Sequence, residues 1–202
     1  MEELILCRHA ESEYSVRGLL NGDPRVAVAL TEEGREQARR LGATLASVNV
    51  DLCVTSEFAR TIETADLAFA GRGIPRLVVP ELNDHPAGDY EGGLLSDYLE
   101  WAHGATPSDF VPGTSESRAA VLERFLRGYT LLGARPEHTV VAILHSLPIL
   151  YLLEAAAGRD PVARLGLLPY ADPRKLDRAQ VEQALARLQG WLERPVWGQP
   201  VQ

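Results

Sequence analysis

Short apolar, β-branched runs alternate along this chain with longer segments of helical periodicity, and that alternation restricts the possible folds more than any other feature. The runs are Leu4 to Cys7, Leu52 to Thr55, Leu77 to Val79 and Val140 to Leu144. Each is short and rich in strand-forming residues, so each reads as a buried strand. Helical patterns lie between and after them. Thr31 can cap the first, with Glu32 and Glu33 in its opening turn and Ala38, Leu41, Leu45 and Val48 on one face. Ser56 can cap the second, which turns Phe58, Ile62, Ala65 and Phe69 inward and stops at Gly71. A third runs from about Ser117 to Leu132 with Gly133 ending it, and Pro148 opens a fourth that Gly158 closes. Asp177 and Gln180 form a capping box for a fifth, whose stripe is Val181, Leu185, Leu188 and Leu192. Strands separated by helices need crossover connections, so the expected fold is α/β: a three-layer α/β/α sandwich around a mainly parallel sheet.

A chain of 202 residues, 46% hydrophobic and 24% charged, has material for one well-buried domain over residues 1–202 and is cramped for two. Residues 87–115, rich in Gly, Pro, Asp and Trp, break the pattern and are expected to form a lid-like excursion over the sheet. With 28 acidic against 20 basic residues the formal charge is −8, which repels polyanions and argues against nucleic acid or an anionic membrane as partner. No stretch approaches the roughly 18 apolar residues of a membrane span. The opening Met1-Glu2-Glu3-Leu4-Ile5-Leu6 lacks the basic and long apolar regions of a secretory signal, so a cytoplasmic protein is expected. Cys7 and Cys53, the only cysteines, sit in apolar runs and read as reduced core residues. No Cys or His cluster has zinc spacing, and neither a Walker A loop nor a dinucleotide fingerprint occurs, so no metal or cofactor is expected.

Ligands of open parallel sheets bind beyond the carboxyl ends of the strands. Arg8 and His9 follow the first run, Ser56 and then Arg60 the second, Glu81, Asn83 and Asp84 the third, and His145 and Ser146 the fourth. A histidine or arginine leaving a buried strand is half desolvated and needs a partner, and an anion serves all of them. Phosphoryl transfer fits the set. Guanidinium forks hold spread negative charge, an imidazole attacks phosphorus, and a carboxylic acid protonates the leaving oxygen. Glu81, Asp89 and Glu91 compete with Asp84 for the last role.

The same residues carry a resemblance. Cys7-Arg8-His9-Ala10-Glu11-Ser12 resembles the Arg-His-Gly-x-Ser opening of the histidine phosphatase superfamily, the phosphoglycerate mutase-like phosphatases. The likeness continues through Leu30 to Ala38, Thr55 to Ala65, Leu82-Asn83-Asp84 with Gly88 and Glu91-Gly92, and His145, in the family's order over about residues 4–150. It implies that His9 is the phosphorylated nucleophile and that Arg8, Arg60 and His145 hold the phosphate. Asp84 would be the general acid and base, where many members have Glu. Ser15 stands where mutase-like members often have an Asn on the phosphate, so it is a phosphate ligand of shorter reach. Ala10 and Ser146 replace usual glycines, and Gly113-Thr114-Ser115-Glu116-Ser117 resembles the family's Gly-Glu-Ser with one extra residue.

The resemblance implies a phosphatase that hydrolyses a small phosphomonoester through a phosphohistidine. Mutase-type transfer and a catalytically silent phosphate-binding module stay open, although family mutases carry longer insertions than this compact chain. Two rival patterns fall short. Cys53 and Arg60 are separated by six residues where a cysteine phosphatase loop has five, and Gly113 to Ser117 lacks the last glycine of a serine nucleophile elbow. His85 reads as structural or solvent-facing, His103 and His138 as surface residues, and Arg17 as a further candidate for an anionic substrate. A homodimer through the helix ending near Trp191 is a further possibility.

Overall fold

The computed structural model describes residues 1–199. Five strands build one sheet: β1 (Glu3–Arg8), β2 (Leu52–Thr55), β3 (Arg76–Val78), β4 (Thr139–Leu144) and β5 (Arg174–Asp177). The helices are α1 (Glu13–Val16), α2 (Glu32–Thr44), α3 (Ala59–Ala68), α4 (Leu95–Gly104), α5 (Arg118–Gly133), α6 (Ser146–Ala156) and α7 (Arg178–Glu193). Strand order is β3-β2-β4-β1-β5, parallel throughout except β5, which runs antiparallel to β1. No helix among the described residues is long and apolar enough to cross a membrane.

Strand periodicity sorts the core into two halves. Leu4, Leu6, Leu52, Val54, Val140, Ala142 and Leu144 face one way and meet Val121, Leu122 and Phe125 of α5, Ile149 and Leu152 of α6, and Val181, Ala184 and Leu188 of α7. Ile5, Cys7, Cys53, Val141 and Ile143 face the other way, onto Leu41 of α2 and Ala65 of α3. Both faces being covered explains why β1, β2 and β4 read as continuous apolar runs. Each fully buried Leu, Ile or Val contributes on the order of 1.5–3 kcal/mol by leaving water.

The connections position the site. β1 leads to α2 on one face of the sheet, whereas its neighbour β4 leads into α6 on the other. The chain therefore diverges beyond the carboxyl ends of β1 and β4 and leaves a crevice there, the usual ligand position in open sheets.

Several elements differ from the expectation. β5 was absent from it: Arg174-Lys175-Leu176-Asp177 buries only Leu176, and such a charged edge strand carries almost no apolar signal. β3 is also an edge strand, half exposed instead of buried. Residues 87–115 contain α4, which buries Tyr98 and Ala102. Ser56 does not cap α3, which starts after Phe58, and α6 begins at Ser146, before Pro148. Thr31, Ser117 and the Asp177–Gln180 box cap α2, α5 and α7 as their spacing predicts.

Gly34 of α2 presses on the loop that follows β1, where an added Cβ would lie 2.0 Å from the Glu11 carbonyl oxygen. Gly34→Ala should therefore destabilise the fold by about 1–3 kcal/mol through overpacking, although Ala gains about 1 kcal/mol of helix propensity over Gly. Urea unfolding measures this; a raised midpoint would contradict the contact.

Candidate active site

Arg8 ends β1 and His9 follows it, fixed by its backbone N–H to the Leu144 carbonyl at 2.8 Å. His145 leaves β4 as the N-cap of α6, and the two imidazole rings meet edge to face with centroids 5.4 Å apart. Arg60, in the first turn of α3, enters between them. Its Nε donates to His9 Nε2 at 3.2 Å and its Nη2 to His145 Nδ1 at 3.1 Å. Two further donors meet Asn21, at 2.5 Å to the side-chain oxygen and 3.2 Å to the carbonyl, and its plane lies over Phe58. Asp84 Oδ2 completes the group, 3.6 Å from Arg60 Nη2 and 3.5 Å from His145 Nδ1.

The hydrogen-bond network assigns both tautomers. His9 Nδ1 lies 2.8 Å from the Ala10 carbonyl, which can only accept, so Nδ1 carries the proton and Nε2 keeps its lone pair. His145 Nδ1 accepts from Arg60, so its Nε2–H donates to Ser56 Oγ at 2.8 Å, beside Thr61 Oγ1 at 2.9 Å. This explains why Ser56 caps nothing: its hydroxyl orients His145.

Electrostatics holds the imidazoles neutral. Burial pushes His9 well below the usual histidine range, and the Arg60 and Arg8 charges push it further. Burial does the same to His145, helped by Arg60 and His9, and also lowers His85. Burial brings Arg60 down to about 10, opposed by the Asp84 carboxylate, so its guanidinium stays charged at neutral pH. Arg8 donates to the Leu168 carbonyl at 2.6 Å, lies 4.1 Å over the Tyr170 ring, and keeps its buried Nε without a hydrogen-bond partner.

Arg8, His9, Asn21, Arg60, Asp84 and Tyr170 line one cavity of about 300 Å³, whereas His145, expected to hold the phosphate, is fully buried and not part of the wall. Ser15 lines it too, but its hydroxyl is engaged with the backbone N–H and carbonyl of Ser12, both at 2.8 Å. Of the competing carboxylates, Asp84 alone lines the cavity; Glu91 instead accepts from Asn21 and from the Gly22 N–H. Arg124 of α5 grips the loop behind Asp84, donating to the carbonyls of Glu81, Asn83 and Asp84 at 2.7–3.0 Å while Glu116 holds its other edge.

His85 is buried in the cavity wall and stacked on Tyr98 at 4.5 Å, not solvent-facing. Arg17 is exposed and lies outside the wall, as do His103 and His138. Cys53 is buried on β2 with its thiol pushed up to about 11, far from the thiolate a cysteine nucleophile needs. Sequence reasoning missed Asn21, Tyr170 and Arg118. Residues 87–115 supply part of the wall through Leu95, Tyr98 and Leu99, tied to the loop after β1 by Leu20 N–H to Gly93 and Leu95 N–H to Gly18. Among the described residues no cluster of three His, Cys, Asp or Glu is placed to hold a metal.

A family model described as the histidine phosphatase superfamily (branch 1) matches residues 4–192. The adenosylcobalamin/alpha-ribazole phosphatase of Salmonella typhimurium is 40% identical over 170 residues, 80% of this chain and 82% of that one. Phosphoserine phosphatase 1 of Hydrogenobacter thermophilus is 30% identical over 173 residues, 79% of this chain and 78% of its own. The crystal structure of the alpha-ribazole phosphatase from Shigella flexneri superimposes with a TM-score of 0.75 at 26% identity, covering 87% of this chain and 90% of that one.

The neutral histidines make stability depend on pH. His9, His85 and His145 have depressed folded values, so below the unfolded value of about 6.5 the unfolded chain binds more protons than the folded one. Stability should fall with pH from about 6.5 towards 5, by up to about 1.4 kcal/mol per pH unit for each histidine, before most carboxylates titrate. Thermal denaturation across that window tests this, and a flat or rising Tm would contradict neutral buried imidazoles.

Proposed function

This chain belongs to the histidine phosphatase superfamily and is a phosphatase of that family, and from that premise we propose that it hydrolyses a small phosphomonoester in two displacements through a phosphohistidine at His9. The observation that carries the reading is the Arg60 guanidinium held between the lone pair of His9 Nε2 and the Nδ1 of His145, with the Asp84 carboxylate 3.6 Å from that guanidinium and 3.5 Å from His145.

In the first step the phosphate oxygens take over the Arg60 Nε–H that occupies His9 Nε2, the freed lone pair attacks phosphorus, the bond from phosphorus to the ester oxygen breaks, and Asp84, as the carboxylic acid, gives its proton to the departing alcohol. Arg8 and Arg60 supply positive, hydrogen-bonding groups to the equatorial oxygens, and His145, with its Nε2–H on Ser56, positions Arg60 through Nδ1. The positive charge that develops on the His9 ring is met by the Ala10 carbonyl at Nδ1. In the second step the Asp84 carboxylate takes a proton from water, the resulting hydroxide attacks phosphorus, and the N–P bond breaks. The electron pair returns to Nε2, Asp84 is again an acid, and inorganic phosphate leaves. Asp84 is one methylene shorter than the usual Glu, and the three-carbonyl grip of Arg124 supports this role by fixing the loop that must bring the shorter arm forward. The reduced, buried state of Cys7 and Cys53 is in keeping with a cytoplasmic setting.

Two outcomes test the assignment. His9→Ala should abolish turnover of alkyl and aryl phosphates and the acid-labile phosphoryl label on the protein; a variant that still labels would remove His9 from the mechanism. Asp84→Asn should slow alkyl phosphate hydrolysis by about 10²–10⁴-fold, the usual share of a general acid, yet spare dinitrophenyl phosphate, whose leaving group needs no proton. Arg124→Ala should show the same dependence on leaving group in weaker form. An equal loss on both esters would mean that Asp84 is not the donor.

A further inference from the structure

Arg118 is a buried charge without a counter-charge. It is 4% exposed, lines the cavity, and has no carboxylate among the described residues within ion-pair distance. Its Nε and Nη2 both donate to the Tyr151 hydroxyl, at 3.1 and 2.5 Å, and its Nη1 makes no hydrogen bond to a described residue. The Tyr98 hydroxyl lies buried beside it as a second neutral phenol. Trp197 covers the guanidinium, 5.4 Å from ring centre to Arg118 Cζ. Arg118 is moreover the first residue of α5, where the helix dipole disfavours a cation. Desolvation and dipole both oppose this placement, and Tyr151 and Tyr98 keep the group charged without supplying a carboxylate to balance it.

The cavity's charge count indicates what is missing. Arg8, Arg60 and Arg118 line it together with one carboxylate, Asp84, which is uncharged when it acts as the acid. A phosphate dianion balances two guanidinium groups and leaves one positive charge. With its Nε edge taken by Tyr151, Arg118 has donors left for a monoanion such as a carboxylate. The cavity wall also carries apolar side chains, Leu19, Leu95, Leu99, Leu165 and Leu167.

We propose that Arg118 is a second recognition site in this cavity, binding a carboxylate on the body of the substrate, so that the phosphomonoester hydrolysed here is one that bears a carboxylate on a small, otherwise apolar frame. The inference rests on the phosphatase reading of the same cavity and adds the chemical class of the substrate. Arg118 acts in binding and takes no part in the bond changes at phosphorus.

The test compares phenyl phosphate with meta- and para-carboxyphenyl phosphate on the full chain. The wild-type protein should favour one of the carboxylated esters by about tenfold in kcat/KM, mainly through KM, the worth of one hydrogen-bonded charge contact. Arg118→Gln should erase that preference and Arg118→Lys should keep part of it. A purely structural role would lower both esters equally and leave their ratio unchanged, which overturns the proposal. A wild-type ratio at or below one overturns it without any variant, so the outcome stands even if neither substitution folds. His9→Ala separates the two readings: turnover that survives it defeats the phosphohistidine mechanism, whereas turnover that needs His9 but ignores Arg118 defeats the second site alone.

Discussion

The structure depends on keeping the guanidinium of Arg60 charged inside the protein. Removing such an ion from water costs several kcal/mol even after relaxation, and the cost is recovered only when each donor is met. Here four of its five N–H donors meet His9, His145 and both oxygens of Asn21, the ring of Phe58 covers the plane, and Asp84 supplies the nearby negative charge. Each of these partners arrives on a different part of the chain. The helix α3 must leave β2 on one face, β1 and β4 must lie side by side, and the loop after β1 must fold back to bring Asn21 within reach. Burial, with this charge beside them, keeps both imidazoles neutral, and a neutral imidazole is the form that can attack phosphorus.

Rigidity around this centre has several sources. Glu91 holds Asn21 and the Gly22 N–H, so the orientation of Arg60 depends on a carboxylate that never lines the cavity. Ser56 and Thr61 hold His145 from the opposite side, and Thr64 Oγ1 receives the Ala10 N–H next to the nucleophile. Arg124 and Glu116 perform the same service for the Asp84 loop. Positioning to within a fraction of an ångström decides phosphoryl transfer, where little covalent work is left to the protein. These bonds tie α3 and α5 to the loops that carry Asn21 and Asp84.

What could be read from the sequence follows the physics of burial. β1, β2 and β4 are covered on both faces and had to be continuous apolar runs, and the residues at their carboxyl ends had to be Arg8, His9 and His145 in space as well as in sequence. β5 and α4 were hidden because an edge strand with one inward residue and a helix inside a Gly- and Pro-rich segment carry weak periodicity. Ser56 illustrates a local rule overridden by tertiary contact: it has the chemistry of an N-cap, yet its hydroxyl is needed by an imidazole 89 residues away. Asn21, Tyr170 and Arg118 reach the cavity from loops or a helix start, whose paths no hydrophobic period determines. Ser15 was selected by position alone, whereas Asn21 meets Arg60 from further along the same loop.

The formal charge of −8 and a cavity holding three guanidinium groups are two scales of one design. At physiological ionic strength a surface charge is screened over about 8 Å, so the acidic exterior acts on extended polyanions that touch it at many points. A small phosphate ester crosses that layer once. Inside, apolar side chains surround buried charges, and in such a medium the same fixed charges act far more strongly than at the surface. The apolar residues are thus part of the electrostatics. They set how much each arginine contributes, and for that reason a buried cation such as Arg118 has to be matched by the ligand where the protein leaves it unmatched.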